Sequence, residues 1–306
     1  MKKILLATEK PFTAAAVKAI RDEINNAGNE LVLLEKYTDK SQLLDAVKDV
    51  DAMIVRSDKV TPDVLDAAGS LRIVVRAGAG YDSIDTAYAK QKGVVVENTP
   101  GQNSNAVAEL VFGLLVYAVR NFYNGKSGTE LKGKKLGILA FGNVGRNVAR
   151  IAKGFGMDVC AYDAYCPKES IEGAGVKAVD SQEELFSQCD IVSLHIPATS
   201  ETRESINYAL VNRMPKGGIL VNTARKEVVN EPELLKLMAE RDDLKYITDI
   251  KPDADADFAK FENRYFSTPK KMGAQTAEAN TNAGIAAARQ INAYFATGDT
   301  TYQVNK

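Results

Sequence analysis

Along the first hundred residues, hydrophobic positions come in short consecutive runs, separated by stretches in which they are spaced. The runs at 3–7, 31–34, 52–55, 72–75 and 94–96 predict β-strands buried on both faces. The spaced stretches at 14–25, 41–47, 62–68 and 84–90 predict helices. Thr61-Pro62 opens the third of these, an N-cap residue followed by proline at the first helical position. Regular strand–helix alternation builds a parallel sheet covered on both faces.

The rhythm changes at 103–123, an unbroken segment that is apolar around most of its circumference. It predicts a buried helix crossing into a second domain. A polar loop follows, and alternation resumes with strands predicted at 136–140, 158–162, 191–194, 219–222, 246–249 and 265–267, and a helix at 144–155. The Ala-rich helix predicted at 277–295 is long enough to return to the first domain. The expected architecture is α/β: two Rossmann-like, doubly wound parallel-sheet domains, with the active site in the cleft between them. Residues 1–98 plus 281–306 form one domain and residues 99–280 the other.

The first strand of the second domain runs into Ala140-Phe141-Gly142-Asn143-Val144-Gly145, the G-x-G-x-x-G pattern with alanine in the first place. The methyl group of Ala140 disfavours positive φ, so the turn is expected to keep φ negative there. Gly142 admits a pyrophosphate, Gly145 lets helix pack closely on strand, and the N–H groups that open the helix face the phosphates. Asp163 follows the next strand at the spacing needed for the adenosine ribose hydroxyls. A carboxylate there repels a 2′-phosphate, and no arginine follows among Ala164, Tyr165 and Cys166, so NAD is favoured over NADP. A glycine turn alone also suits an ordinary βαβ unit; strand, helix and Asp163 together are more specific.

Composition narrows the class. The 306 residues carry a net charge of −1, with 45% hydrophobic and 26% charged residues, which leaves no electrostatic footprint for nucleic acid or an anionic membrane. No stretch approaches the length of a membrane span, and the apolar run at 4–7 is too short for a signal-peptide core. Cys160, Cys166 and Cys189 lack C-x-x-C spacing and read as reduced, inert thiols of a cytoplasmic protein. No metal site is expected.

Landmarks in order along the chain are Val55-Arg56-Ser57, Arg76-Ala77-Gly78-Ala79-Gly80, Asn98-Thr99-Pro100, Ala108-Glu109-Leu110, the glycine turn, Leu194-His195-Ile196-Pro197, Asn222-Thr223-Ala224-Arg225 and Thr268-Pro269. Together they resemble the D-2-hydroxyacid dehydrogenase family over nearly the whole chain, and within it the short phosphoglycerate dehydrogenases that lack a regulatory domain. The resemblance implies that Arg225 binds the substrate carboxylate and 2-oxygen, a role suited to a planar guanidinium. It implies a cradle of backbone N–H groups at Gly78, Ala79 and Gly80, with Ala79 also beside the cofactor. Arg56, Ser57 and Arg76 lie near this cradle in the family pattern and would hold a phosphate; either arginine would equally serve as a structural ion-pair partner. Asn143, Val144, Thr202, Thr223, Ala224 and Asp249 are placed along the cofactor, Asp249 at the nicotinamide amide. His195, the only histidine, would line the dinucleotide with Ile196 and Pro197, or else be a buried, hydrogen-bonded core residue. A homodimer is also implied, with 103–123 as a plausible interface.

Two departures bear on the chemistry. The family's catalytic histidine lies in a Thr-Pro-His-Ile-Gly segment, which here reads Thr268-Pro269-Lys270-Lys271-Met272-Gly273, with lysine for histidine and one residue inserted. The family's orienting glutamate is also missing, and Asp253 or Asp255 would supply its carboxylate. A free lysine has a pKa of about 10.4, and lowering it by about 3 units costs roughly 4 kcal/mol. Burial and a neighbouring cation such as Arg225 act in that direction. Two classes of function are therefore open. One is NAD-dependent oxidation of a D-2-hydroxy acid, foremost 3-phosphoglycerate to 3-phosphohydroxypyruvate in serine biosynthesis, with a glyoxylate or hydroxypyruvate reductase as the alternative. The other is a non-catalytic NAD-binding sensor that has lost its base.

Overall fold

The structure is a computed structural model that describes all 306 residues. The chain forms two compact units, residues 1–103 with 276–306, and residues 104–275.

The first unit holds strands β1 (Lys3–Thr8), β2 (Glu30–Glu35), β3 (Ala52–Val55), β4 (Ile73–Arg76) and β5 (Val95–Asn98). They lie in the order β2-β1-β3-β4-β5, and every pairing is parallel. Alternate residues of β1 enter different cores. Ile4 and Leu6 pack with Ile20, Ile24, Ala287 and Ile291 of the helices Ala14–Asn26 and Ala277–Thr297, while Leu5 and Ala7 pack with Leu43, Val64 and Leu65 on the other face. This is why these strands read as unbroken apolar runs.

The second unit holds β6 (Lys135–Leu139), β7 (Asp158–Tyr162), β8 (Lys177–Ala178), β9 (Ile191–Leu194), β10 (Ile219–Asn222), β11 (Lys245–Thr248) and β12 (Tyr265–Ser267). Their order is β12-β11-β10-β9-β6-β7-β8, again all parallel. Strand addition reverses between β6 and β9, the topological switch point of a doubly wound sheet. There the His195 N–H donates to the Leu139 carbonyl at 2.9 Å.

Three local expectations are corrected. Ala140 has φ +77°, not a negative φ. Its N–H donates to Tyr162 O at 2.8 Å, and a Cβ on Gly145 would collide with its carbonyl, so strand and helix together hold it in the left-handed region. The segment 103–123 is not one helix. It runs as Ser104–Val119 and then reverses through Asn121, Phe122 and Tyr123, with φ of +51°, +53° and +56°. Phe122 is turned onto Tyr117 and Phe266, ring centroids 4.9 and 6.2 Å away, so aromatic packing outweighs the local preference. Thr61 does precede its helix, but its hydroxyl donates to Asp63 at 2.5 Å and caps no backbone amide. The two-residue β8 is too short to leave a hydrophobic pattern.

Beyond the long C-terminal helix, the last residues lie along β5. Val304 N–H donates to Val96 O at 2.9 Å, and the Asn305 side chain bonds both Val96 N–H and Val94 O. This contact covers Glu97, which is 1% exposed and whose Oε1 has no partner. Burial, reinforced by Asp299, raises its pKa to about 7. The folded value lies above the ordinary 4.5, so the stability gained with the neutral carboxyl is complete below pH 4.5 and lost as pH rises through about 7. Glu97→Gln should therefore stabilise the protein by up to about 3 kcal/mol at pH 8 and by little at pH 4.5. Denaturant unfolding at both pH values checks this, and an equal difference at both would refute it. Ala140→Gly should raise stability by about 1 kcal/mol, because the left-handed conformation penalises only the residue with a Cβ. A lower thermal midpoint for the glycine variant would count against that strain.

Candidate active site

The glycine turn lies at the carboxyl end of β6, beside the switch point. Gly142 caps the helix Asn143–Gly154 with no side chain on the helix-opening N–H groups, which leaves them for an anion. Gly142 and Asn143 are exposed, Val144 is half-buried and Gly145 is buried. Asp163 Oδ2 accepts from Phe141 N–H at 2.7 Å, and its Oδ1 accepts from the N–H groups of Tyr165 and Cys166 at 2.8 and 2.9 Å. The carboxylate assigned to the ribose is thus locked to the turn by three charge-assisted bonds. Sequence order hid one neighbour. No arginine follows Asp163, but Arg146 arrives from the helix, lying 4.8 Å over the Phe141 ring with Nη2 3.4 Å from Cys166 Sγ. The only sequence signal for it is its place directly after Gly145.

His195 follows β9, with Nε2 2.9 Å from Ser193 Oγ. Burial lowers its pKa to about 3, so the ring is neutral at ordinary pH and poorly suited to act as a base. Ile196 is half-buried and Pro197 exposed; the Thr202 hydroxyl donates to Pro197 O at 2.5 Å and closes that loop. Thr223 Oγ1 is buried without a partner. An unsatisfied buried hydroxyl is costly, and a polar group of a bound dinucleotide is the partner that would relieve it. That orphan, the bare helix N-terminus and the fixed Asp163 carboxylate together fit NAD.

The residues assigned to catalysis gather partly. Asn222 shapes the turn after β10, its amide donating to Arg225 O and its Oδ1 accepting from Ala224 N–H, both at 2.9 Å. Arg225 Nη1 donates to Ala224 O at 2.9 Å, and Lys271 Nζ donates to the same oxygen at 3.0 Å. Two cationic heads thus share one carbonyl. Lys270 and Lys271 are both exposed, so the burial expected for the lysine is absent, and the Lys270 carbonyl accepts from the Thr268 hydroxyl at 2.8 Å. Asp249 is fully buried. Its Oδ1 accepts from Met272 N–H at 2.7 Å and lies 3.0 Å from Thr268 Oγ1, and its Oδ2 accepts from Gly273 N–H at 2.7 Å. The residue expected at the nicotinamide amide therefore also fastens the lysine segment. Asp253 is not brought to either lysine. It pairs with Lys226 at 2.5 Å, and Glu231 holds the Asp253 and Ala254 amides in that loop. Asp255 accepts from Tyr265 OH at 2.7 Å and pairs with Lys251 at 3.1 Å.

In the first unit, Arg56 donates to Lys10 O and Pro11 O at 2.9 and 3.2 Å and to Asn280 Oδ1 at 2.6 Å. Arg76 Nε donates to Arg56 O at 2.7 Å. Gly78 has φ +147°, which L side chains rarely adopt, and a Cβ there would displace the Arg76 guanidinium. Gly78 N–H donates to Thr99 Oγ1 at 2.7 Å, which commits one of the three amides of the expected cradle. Ala79 and Ser57 are exposed, and Gly80 is half-buried.

Comparison with known proteins agrees with this geometry. Residues 117–269 match the NAD-binding domain of the D-isomer-specific 2-hydroxyacid dehydrogenases. The chain is 38% identical to a D-3-phosphoglycerate dehydrogenase of Methanocaldococcus jannaschii, over 82% of this chain and 51% of that one. It is 37% identical to a hydroxypyruvate reductase of Thermotoga maritima, over 86% and 90% of the two chains. The NAD+-bound structure of 3-phosphoglycerate dehydrogenase from Entamoeba histolytica superposes with a TM-score of 0.90 and 46% identity, covering 100% of this chain and 99% of that one. The chain spans about half the length of the D-3-phosphoglycerate dehydrogenases from M. jannaschii and rat. With the glycine turn, Asp163 and the parallel seven-stranded sheet in place, the chain belongs to the D-isomer-specific 2-hydroxyacid dehydrogenases and carries their NAD-binding domain.

Proposed function

We propose that the protein oxidises a D-2-hydroxy acid with NAD, with 3-phosphoglycerate as its substrate and 3-phosphohydroxypyruvate as product. The observation that carries this reading is the meeting of Arg225 and Lys271 on the Ala224 carbonyl. Bound NAD supplies the hydride acceptor. The guanidinium of Arg225 holds the substrate carboxylate and 2-oxygen, and the neutral amine of Lys271 takes the hydroxyl proton as the C2 hydride leaves. In the reverse direction the ammonium donates that proton. A sensor that had lost its base would have no need to hold Lys271 beside Arg225.

Substrate choice rests on the phosphoglycerate dehydrogenase relatives and on Arg56 and Arg76 as phosphate ligands. One observation favours a hydroxypyruvate or glyoxylate reductase instead: the Arg56 guanidinium is engaged by Lys10 O, Pro11 O and Asn280. The further expectations of a homodimer through the helix Ser104–Val119 and a cytoplasmic location belong to the same reading. No helix is long and apolar enough to cross a membrane.

NADH formation with 3-phosphoglycerate should rise toward alkaline pH, because a lysine base works only when deprotonated. Lys271→Ala should lose about 100-fold or more in kcat while Lys270→Ala stays near wild type. A flat pH profile, or the greater loss at Lys270, would sink the assignment. A panel with hydroxypyruvate, glyoxylate and unphosphorylated glycerate separates the two substrate readings. Arg225→Lys should keep NADH binding yet raise KM for the hydroxy acid, since a point charge cannot make the two-pronged contact. Unchanged kcat/KM would remove Arg225 from the site.

A further inference from the structure

The cysteines read as inert in the sequence are not equivalent in the fold. Gly137 on β6 pairs in register with Cys160 on β7, so both present the same face of the sheet. Cys189, at the end of the helix Gln182–Gln188, lies over that glycine. A Cβ built on Gly137 would stand 3.0 Å from Cys189 Sγ and 3.2 Å from Cys189 Cβ. The missing side chain leaves room for the Cys189 sulfur on the face of the sheet that Cys160 also presents, and both residues belong to one core cluster. Cys160, only 5% exposed, also lines a cleft of about 460 Å³ shared with Lys135, Lys153 and Lys177, Asp158 and Gln188.

We infer that Cys160 and Cys189 form a redox-active pair, oxidised by hydrogen peroxide to an intramolecular disulfide. The Cys160 thiolate attacks one peroxide oxygen; the O–O bond breaks, hydroxide leaves as water, and Cys160 becomes a sulfenic acid. Cys189 then attacks that sulfur, the S–S bond forms, and the sulfenic hydroxyl departs with the Cys189 proton as a second water. Two electrons pass from the dithiol to the peroxide.

The charges around the pair divide the roles. The neighbouring Cys189 thiol, helped by Lys177 and Lys135 and opposed by burial and Asp158, lowers the Cys160 pKa to about 7. The facing thiolate, burial and Asp190 push Cys189 well up, partly offset by Lys135, so it stays protonated until Cys160 has reacted. Conversion of Cys160 to the neutral sulfenic acid removes that thiolate charge and frees Cys189 to resolve it. Cys166, half-buried beside Arg146, has no cysteine partner and serves as the internal control.

The test is peroxide titration of the full chain, followed by alkylation and non-reducing peptide mapping. The expected product links the Cys160 and Cys189 peptides, has lost two hydrogens and reverts with dithiothreitol. Its rate of formation should rise through about pH 7. Cys189→Ser should stop the reaction at a Cys160 sulfenic acid that dimedone traps. Cys160→Ser should leave Cys189 alkylatable, and circular dichroism of both variants verifies the fold. The inference is overturned if both thiols survive peroxide in the wild type, if Cys166 reacts first, or if the link joins other cysteines.

Discussion

Every strand pairing in both sheets is parallel, so the chain leaves all the strands of a sheet at the same edge and must cross back each time. Backbone groups that no longer belong to a ladder are concentrated there, and each needs a partner. Short polar side chains supply them. Asp58 accepts from Glu9 and Arg56 amides and from Tyr37 OH in the first unit. Thr99 does the same for Gly78, and Asp163, Asn222 and Asp249 for the loops of the second. The requirement that satisfies the fold thereby gathers rigid carboxylates, amides and hydroxyls at the edge where α/β sheets bind ligands.

This explains why individual polar residues carry both a structural and a ligand-facing assignment. Asp163 fixes the glycine turn with the group assigned to the ribose. The buried positions Asn222 and Thr223 differ: the Asn222 amide bonds through both its nitrogen and its oxygen within its turn, whereas the Thr223 hydroxyl is not bonded at all. The first reads as scaffold and the second as a place held for a ligand. His195 shows the same logic in reverse. Its position at the switch point fits a cofactor contact, but burial deprives its ring of the charge change that a base needs.

The sequence made most strands legible because burial on both faces writes itself as a consecutive apolar run. It hid features that depend on contacts across the chain. Ala140 adopts a positive φ because Gly145 and Tyr162 leave it no alternative, a demand invisible in its own side chain. The reversal at Asn121–Tyr123 answers to Phe266, far along the chain. Arg146 reaches the neighbourhood of Asp163 from another element, so reading only the residues after the aspartate missed it. Asp253 looked like a substitute for the family glutamate by spacing, but Lys226 and Glu231 claim its loop first.

Replacing histidine by lysine with one residue inserted is coherent once Asp249 is considered. An imidazole is short and stiff and needs a backbone held close to the reacting atoms. A lysine has a four-carbon stem, reaches further and has about 2 kcal/mol of rotamer entropy to lose. Its usefulness therefore depends on anchoring both ends. Asp249 anchors the backbone at Met272 and Gly273, and Ala224 O anchors the amine next to Arg225. Gly273 has no room for a side chain, since a Cβ would stand 2.9 Å from Asp249 Oδ2 and 3.2 Å from Val107. In the proposed mechanism Asp249, bonded to the Met272 and Gly273 amides, fixes the backbone of the segment that carries Lys270 and Lys271.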